Sequence, residues 1–174
     1  MHSLPARDPH AFHPDDMSPA EVAALLGRAR ALLGAAGAVA SPTANRAGPG
    51  LRGKYLALLC DVDDADSAVA FREAALALGA RVATIRPKLS PASPADEVRH
   101  TARVLGRLYD AVECQGMSAT LVRAIARDAG IPVYDGLASP DHPIAALAPL
   151  LGLGVSSAEQ RRLLLQATLL ASVG

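Results

Sequence analysis

The chain has 174 residues, 51% of them hydrophobic, and its 17 basic side chains are balanced by 17 acidic ones. This length and composition suit one folded domain with a sizeable core. The zero net charge and the lack of a basic run argue against nucleic-acid binding, because phosphate neutralisation supplies most of that affinity. No apolar stretch reaches the roughly 18–20 residues that a membrane span needs. The polar first residues contain no signal core, so we expect a cytoplasmic protein.

The chain begins with a polar segment, residues 1–16, which we interpret as a flexible arm before a single domain at 17–174. Ser18, Pro19 and Glu21 have the spacing of a capping box with proline at the first helical position, so a helix is predicted from Pro19 to about Gly34–Gly37. Residues 38–53, rich in proline and glycine, indicate a loop.

Four apolar runs then alternate with helical patterns. The predicted strands are residues 55–60, 81–85, 109–113 and 131–134, and the predicted helices are residues 68–78, 96–107, 118–129 and 143–151. This alternation predicts a three-layer α/β fold, a four-stranded parallel sheet in the order 2-1-3-4 flanked by helices. Residues 156–174 predict a terminal helix docked on the same domain; the alternative is a free helix that binds a partner.

The segment 96–150 carries a specific resemblance. Residues 101–107, TARVLGR, followed by YDAVECQG and by GIPVYDGLASPDHP, resemble the ornithine carbamoyltransferase family in its carbamoyl-phosphate-binding domain. Leu51–Lys54 resembles that family's entry to its first strand, and Ala158–Arg161 its C-terminal helix. The resemblance implies the fold of that N-terminal domain. It also implies that the amino-acid-binding domain is missing and that residues 151–155 join the returning helix directly.

The resemblance also locates a carbamoyl-phosphate site, which the family builds from a Ser-Thr-Arg-Thr-Arg motif at a helix N-terminus, where helix dipole and arginines favour an anion. Here both arginines are absent, the arginine of the family's YRG run aligns with Gln115, and the glutamine of its HPTQ motif is lost, although His142 remains. The vestigial ligand-binding positions are Asp63, Asp64, Ala65, Asp66, Ser67, Ala68, Gln115 and His142. No catalytic residue is identified beyond the vestigial His142.

Three further patterns have two interpretations each. Asp61, Asp63, Asp64 and Asp66 suggest either a Mg²⁺ or Ca²⁺ site or, as we favour, helix capping and solvation, with no metal. Cys60 and Cys114 lie at the ends of neighbouring predicted strands. They are either a redox pair or, as we favour, two ordinary buried cysteines. His142 is interpreted as a structural residue rather than a catalytic one, and no cofactor is expected.

The resemblance implies a place in amino acid metabolism but leaves three functions open. The first is a pseudoenzyme: a non-catalytic subunit or regulator, assembled through the family's trimer interface as a homotrimer or with a full-length carbamoyltransferase. The second is a domain repurposed to bind a small molecule, since the acidic site suits a cation or an amino-bearing metabolite. The third is residual carbamoyl transfer to ornithine or aspartate with residues lent by a partner subunit.

Overall fold

A computed structural model describes residues 17–37, 50–61, 65–152 and 154–174 of the chain. One parallel sheet has the strand order β2-β1-β3-β4, with the strands β1 (Tyr55–Leu59), β2 (Arg81–Ile85), β3 (Ala111–Cys114) and β4 (Val133–Asp135). The helices are α1 (Pro19–Gly37), α2 (Asp66–Ala77), α3 (Ala95–Leu108), α4 (Ala119–Ala129) and α5 (Ser157–Val173). The predicted fold class and strand order are confirmed. The predicted arm at 1–16 lies outside the described residues.

The sheet separates two apolar layers because successive strand side chains point to opposite faces. Leu56 and Leu58 pack into a cluster with α1, α2 and α5, whereas Ala57 and Leu59 pack into a second cluster with α3 and α4. The result is a three-layer α/β domain with the sheet buried on both sides.

The same alternation separates the two cysteines. Cys60 belongs to the layer under α1, α2 and α5, whereas Cys114, which pairs with Leu59 in the strand register, belongs to the layer under α3 and α4. Both cysteines are buried and neither forms a disulfide, and burial raises the pKa of Cys114. The alternative of a redox pair is wrong, because the pleat directs the two thiols to opposite faces.

Local sequence signals account for the start of one helix and for the geometry of another. At α1 the Ser18 N–H donates to Glu21 Oε2 at 2.6 Å and the Glu21 N–H donates to Ser18 Oγ at 3.3 Å, which completes the capping box. The helix predicted at 143–151 is instead a 3-10 helix, Pro143–Leu151, with Pro149 inside it. Because Pro149 has no N–H and its ring crowds the preceding turn, the segment does not settle into regular α geometry.

Helix α5 closes the apolar face of the first layer. It packs against α1, α2 and the 3-10 helix. Leu163, Leu164 and Leu169 are fully buried there, and each such side chain contributes about 1.5–3 kcal/mol on burial. In the described chain α5 is therefore part of the core, not a free helix.

Candidate functional site at the carboxyl edge of the sheet

The candidate site lies where β1 and β3 end side by side. The chain leaves β1 towards α2 on one face of the sheet and leaves β3 towards α4 on the other. Such a reversal opens a crevice at the carboxyl edge, which is where ligands bind in open α/β sheets. The described positions of the vestigial site follow β1 (Ala65–Ala68), β3 (Gln115) and β4 (His142) in the chain.

The N-terminus of α2 begins the site. The N-cap position is Ala65, whose side chain has no hydrogen-bonding group, so no carboxylate occupies the N-cap of this helix. Asp66 is exposed in the first turn, where the helix dipole favours a negative charge. Ala68 is fully buried in the core and has no face towards the crevice. Asp63 and Asp64 lie outside the described residues.

A chain of hydrogen bonds joins α2 to the end of β3. Ser67 Oγ donates to Gln115 Oε1 at 2.7 Å, and the Gln115 side-chain amide donates to Glu113 Oε1. The same Glu113 oxygen accepts from the Ala138 N–H at 3.4 Å. Two of the predicted positions, Ser67 and Gln115, are thus brought together through their own side chains.

Glu113 is the residue of this site that the sequence interpretation missed. Its side chain is fully buried at the end of β3, and its Oε2 has no hydrogen-bond partner among the described residues. Burial raises the pKa of Glu113 to about 8, although the N–H groups of Ala138 and Leu137 and the Gln115 amide act in the opposite direction. The carboxyl group is therefore protonated at neutral pH. A charged residue inside the apolar run AVEC was the available signal.

His142 takes a capping role. Its Nδ1 accepts from the Ile144 N–H at 3.2 Å, so the side chain caps the 3-10 helix that begins at Pro143. The imidazole is buried and lines a shallow cavity of about 380 Å³ together with Pro149 and Gln160. This capping contact is distinct from the hydrogen-bond chain Ser67–Gln115–Glu113, which joins α2 to the end of β3.

A second, deeper cavity opens beside Ser67, and we call it the edge cavity. Its volume is about 420 Å³. It lies between α2, the segment 137–145 and the start of α5. The lining side chains include Asp66, Ser67, Ala70 and Glu73 from α2, Leu137, Ile144 and Ala145, and Ala158, Glu159, Arg161, Arg162, Leu164 and Leu165 from α5.

One ion pair inside the edge cavity is already formed. Arg162 Nε donates to Glu159 Oε2 at 2.8 Å, and a second guanidinium nitrogen donates to the other carboxylate oxygen. These hydrogen bonds raise the pKa of Arg162 and lower that of Glu159. The participation of α5 had no local signal in the sequence, because it depends on where the helix docks.

Among the described residues no three histidine, cysteine, aspartate or glutamate side chains are gathered as metal ligands, and Asp61 and Asp66 are both exposed. None of the helices in the described part of the chain has the length and hydropathy needed to cross a bilayer.

The fold defines an open α/β domain with a crevice at its topological switch point, which is where domains of this class bind ligands. Residues 9–153 match the family model for the aspartate/ornithine carbamoyltransferase carbamoyl-P binding domain, and the chain belongs to this family.

Solved structures agree with this assignment. An ornithine carbamoyltransferase from Gloeobacter violaceus is 28% identical with a TM-score of 0.60, and the match covers 82% of this chain and 44% of that one. One from Thermus thermophilus is 26% identical, with a TM-score of 0.63 and coverages of 82% and 47%. A mitochondrial ornithine carbamoyltransferase from Coccidioides immitis is 18% identical with a TM-score of 0.65, and the match covers 86% of this chain and 47% of that one. At this identity the match supports the fold alone. The chain thus spans less than half the length of these structures.

Proposed function

We propose that this chain is a non-catalytic, cytoplasmic carbamoyltransferase relative that acts as a subunit or regulator by assembling with copies of itself or with a full-length carbamoyltransferase. The observation that carries the proposal is the hydrogen-bond chain Ser67–Gln115–Glu113. Ser67 and Gln115, two of the positions aligned with the family's phosphate site, hydrogen-bond each other, and neither is a cation.

Charge supports the same conclusion. A phosphate dianion arriving at the N-terminus of α2 would meet the exposed carboxylate of Asp66, and Glu73 lies farther along the same cavity wall. Gln115 offers a neutral amide where the family has a bidentate guanidinium, and such contacts are the strong ones for phosphate. The helix dipole alone supplies only about 0.3–1 kcal/mol at an exposed terminus, which does not replace two or three arginines.

The opposite edge of the sheet supports assembly. Tyr55 begins β1, Leu76 lies near the end of α2 and Leu108 ends α3, so all three lie towards the amino edge, away from the site. Each is a large apolar side chain left exposed, with Leu108 at 63%. Exposed apolar side chains grouped on one side of a domain are typical of protein interfaces. Helices α2 and α3 cover opposite faces of the sheet, so Leu76 and Leu108 reach the amino edge from its two sides. We propose that this edge, with Tyr55, Leu76 and Leu108, is the interface.

Calorimetry tests the non-catalytic part. Titration of the chain with carbamoyl phosphate, and separately with inorganic phosphate, is expected to give no binding heat at millimolar concentrations. A saturable heat with carbamoyl phosphate would contradict the proposal and favour residual carbamoyl transfer with a partner.

Analytical ultracentrifugation tests assembly. The chain is expected to sediment as an oligomer, or to co-sediment with the full-length carbamoyltransferase of the same organism. Leu108→Asp is expected to dissociate the complex. Leu150→Asp, at a residue equally apolar and 57% exposed but on the 3-10 helix, is expected to leave it intact. A monomer that binds no carbamoyltransferase at any concentration would overturn this part.

A further inference from the structure

The two helical walls of the edge cavity carry opposite charges. On α2 the residues Asp66, Ala70 and Glu73 are spaced i, i+4 and i+7, so they form one stripe that faces the cavity. On α5 the residues Ala158, Arg161, Arg162 and Leu165 form a matching stripe. The α2 wall is therefore acidic, whereas the α5 wall, with two guanidinium groups and the Glu159 carboxylate, is net basic.

The α5 wall keeps one cation available. Arg162 is held by Glu159 through two hydrogen bonds. Arg161, by contrast, is exposed and forms no ion pair among the described residues. The N-terminus of α5, capped by Ser156, lies at the same end of the cavity, and its dipole also favours a negative group there.

The α2 wall likewise leaves its two carboxylates available to pair with a ligand. Neither Asp66 nor Glu73 forms a salt bridge within the described part of the chain, although Glu73 lies close enough to Arg162 to favour its charged form. Both side chains are exposed at the cavity mouth. A cationic group entering the cavity would find its partners on this side.

Between the charged walls the lining is largely apolar. Ala70, Leu137, Ile144 and Leu165 lie there together with Ser67 and Ser139. Small-molecule sites combine such an apolar lining with a few polar groups that fix orientation. The apolar part of this lining suits methylene groups.

We propose that the edge cavity binds a small zwitterion whose ammonium and carboxylate stand at the two ends of a short aliphatic chain. The ammonium pairs with Asp66 and Glu73, the carboxylate pairs with Arg161 at the start of α5, and the methylene groups lie on the apolar lining. Charges on opposite walls require the two charged groups to be separated, so an ω-amino acid fits better than an α-amino acid. This inference goes beyond the proposed function and does not depend on assembly.

Titration calorimetry with ω-amino acids of increasing length tests the proposal. The probes are β-alanine, γ-aminobutyrate and ε-aminohexanoate, with glycine as the compact zwitterion and with n-butylamine and butyrate as single-charge controls. At least one ω-amino acid is expected to bind about tenfold or more tightly than glycine and than either control. No heat with any ω-amino acid, or equal binding of glycine, butylamine or butyrate, would overturn it.

Variants assign the two ends. Glu73→Gln and Arg161→Gln are each expected to weaken the best probe about tenfold, and Arg161→Lys to restore most of the loss because the charge returns. Arg103→Gln, at an exposed arginine of α3 on the far face of the sheet, is the matched control and is expected to bind as the wild type does. Circular dichroism establishes that each variant is folded. Unchanged affinity in both Glu73→Gln and Arg161→Gln would place the ligand elsewhere and contradict the proposal.

Discussion

Ser67 Oγ donates a hydrogen bond of 2.7 Å to the side-chain oxygen of Gln115, which links the first turn of α2 to the residue that follows β3. Both are positions that the family resemblance assigns to a phosphate site. Here the two side chains satisfy each other and continue to the buried Glu113. The contact joins the two sides of the crevice, and its contribution to the free energy of unfolding is measurable.

Ser67→Ala is expected to lower the free energy of unfolding by about 1 kcal/mol, because the Gln115 oxygen loses a donor at a half-buried site. Urea unfolding measures the loss. The matched control is Ser157→Ala, at the exposed first residue of α5, where little change is expected. Equal stability of the two variants would show that the Ser67–Gln115 contact contributes nothing.

Glu113→Gln is expected to change the dependence of stability on pH. The carboxyl group keeps its proton up to about pH 8 in the folded protein and releases it near its ordinary pKa of 4.5 when unfolded. Between these values the unfolded state binds fewer protons, so the free energy of unfolding falls as pH rises. The accumulated loss is about 2–4 kcal/mol by pH 8.

The neutral amide of Glu113→Gln removes this loss. The free energy of unfolding of the variant, relative to that of the wild type, should therefore increase from pH 5 to pH 8. Urea unfolding across this pH range provides the measurement. Glu97→Gln, at an exposed glutamate of α3, should keep the slope of the wild type. Parallel curves for the wild type and Glu113→Gln would contradict the assignment of a buried, protonated carboxyl group.

Gly106→Ala is expected to destabilise the fold by about 3 kcal/mol or more, since overpacking against backbone cannot be relieved by a rotamer change. A Cβ at Gly106 would lie 1.8 Å from the carbonyl oxygen of Ala129, where α3 crosses the end of α4. Gly27→Ala is the control: no atom lies within 4 Å of its Cβ position in α1. Its expected effect is a gain of about 0.5–1 kcal/mol from helix propensity. Thermal unfolding of both variants decides the point, and similar melting temperatures would be inconsistent with the close helix crossing.

Leu164→Ala tests whether α5 belongs to the core. Leu164 is fully buried between α5 and the rest of the first layer, and its truncation is expected to cost about 2–5 kcal/mol. Leu150→Ala, at a leucine that is 57% exposed, should cost little. Chemical denaturation compares the two; a small loss for Leu164→Ala would mean that α5 does not pack as a core helix.

The sequence by itself determined the fold, because the relevant signals are local. Apolar runs of strand length alternate with helical patterns, the capping box at Ser18 and Glu21 fixes the start of α1, and Gly106 occurs in the run that resembles the carbamoyltransferase family. Right-handed crossovers then leave little freedom in the strand order. Errors arose where a single residue outweighs the pattern, as Pro149 does in the 3-10 helix.

Only the tertiary structure decided the site. Side-chain parity across the sheet placed Cys60 and Cys114 in different layers, and burial, which no local pattern reports, kept a proton on Glu113. The docking of α5 brought Arg161 opposite Asp66 and Glu73, which lie 95 and 88 positions before it in the chain. The hydrophobic effect is non-directional, so the apolar pattern of α5 predicts that the helix is buried but not which surface it packs against. The residues that α5 contributes to the cavity therefore follow only from its packing in the folded domain.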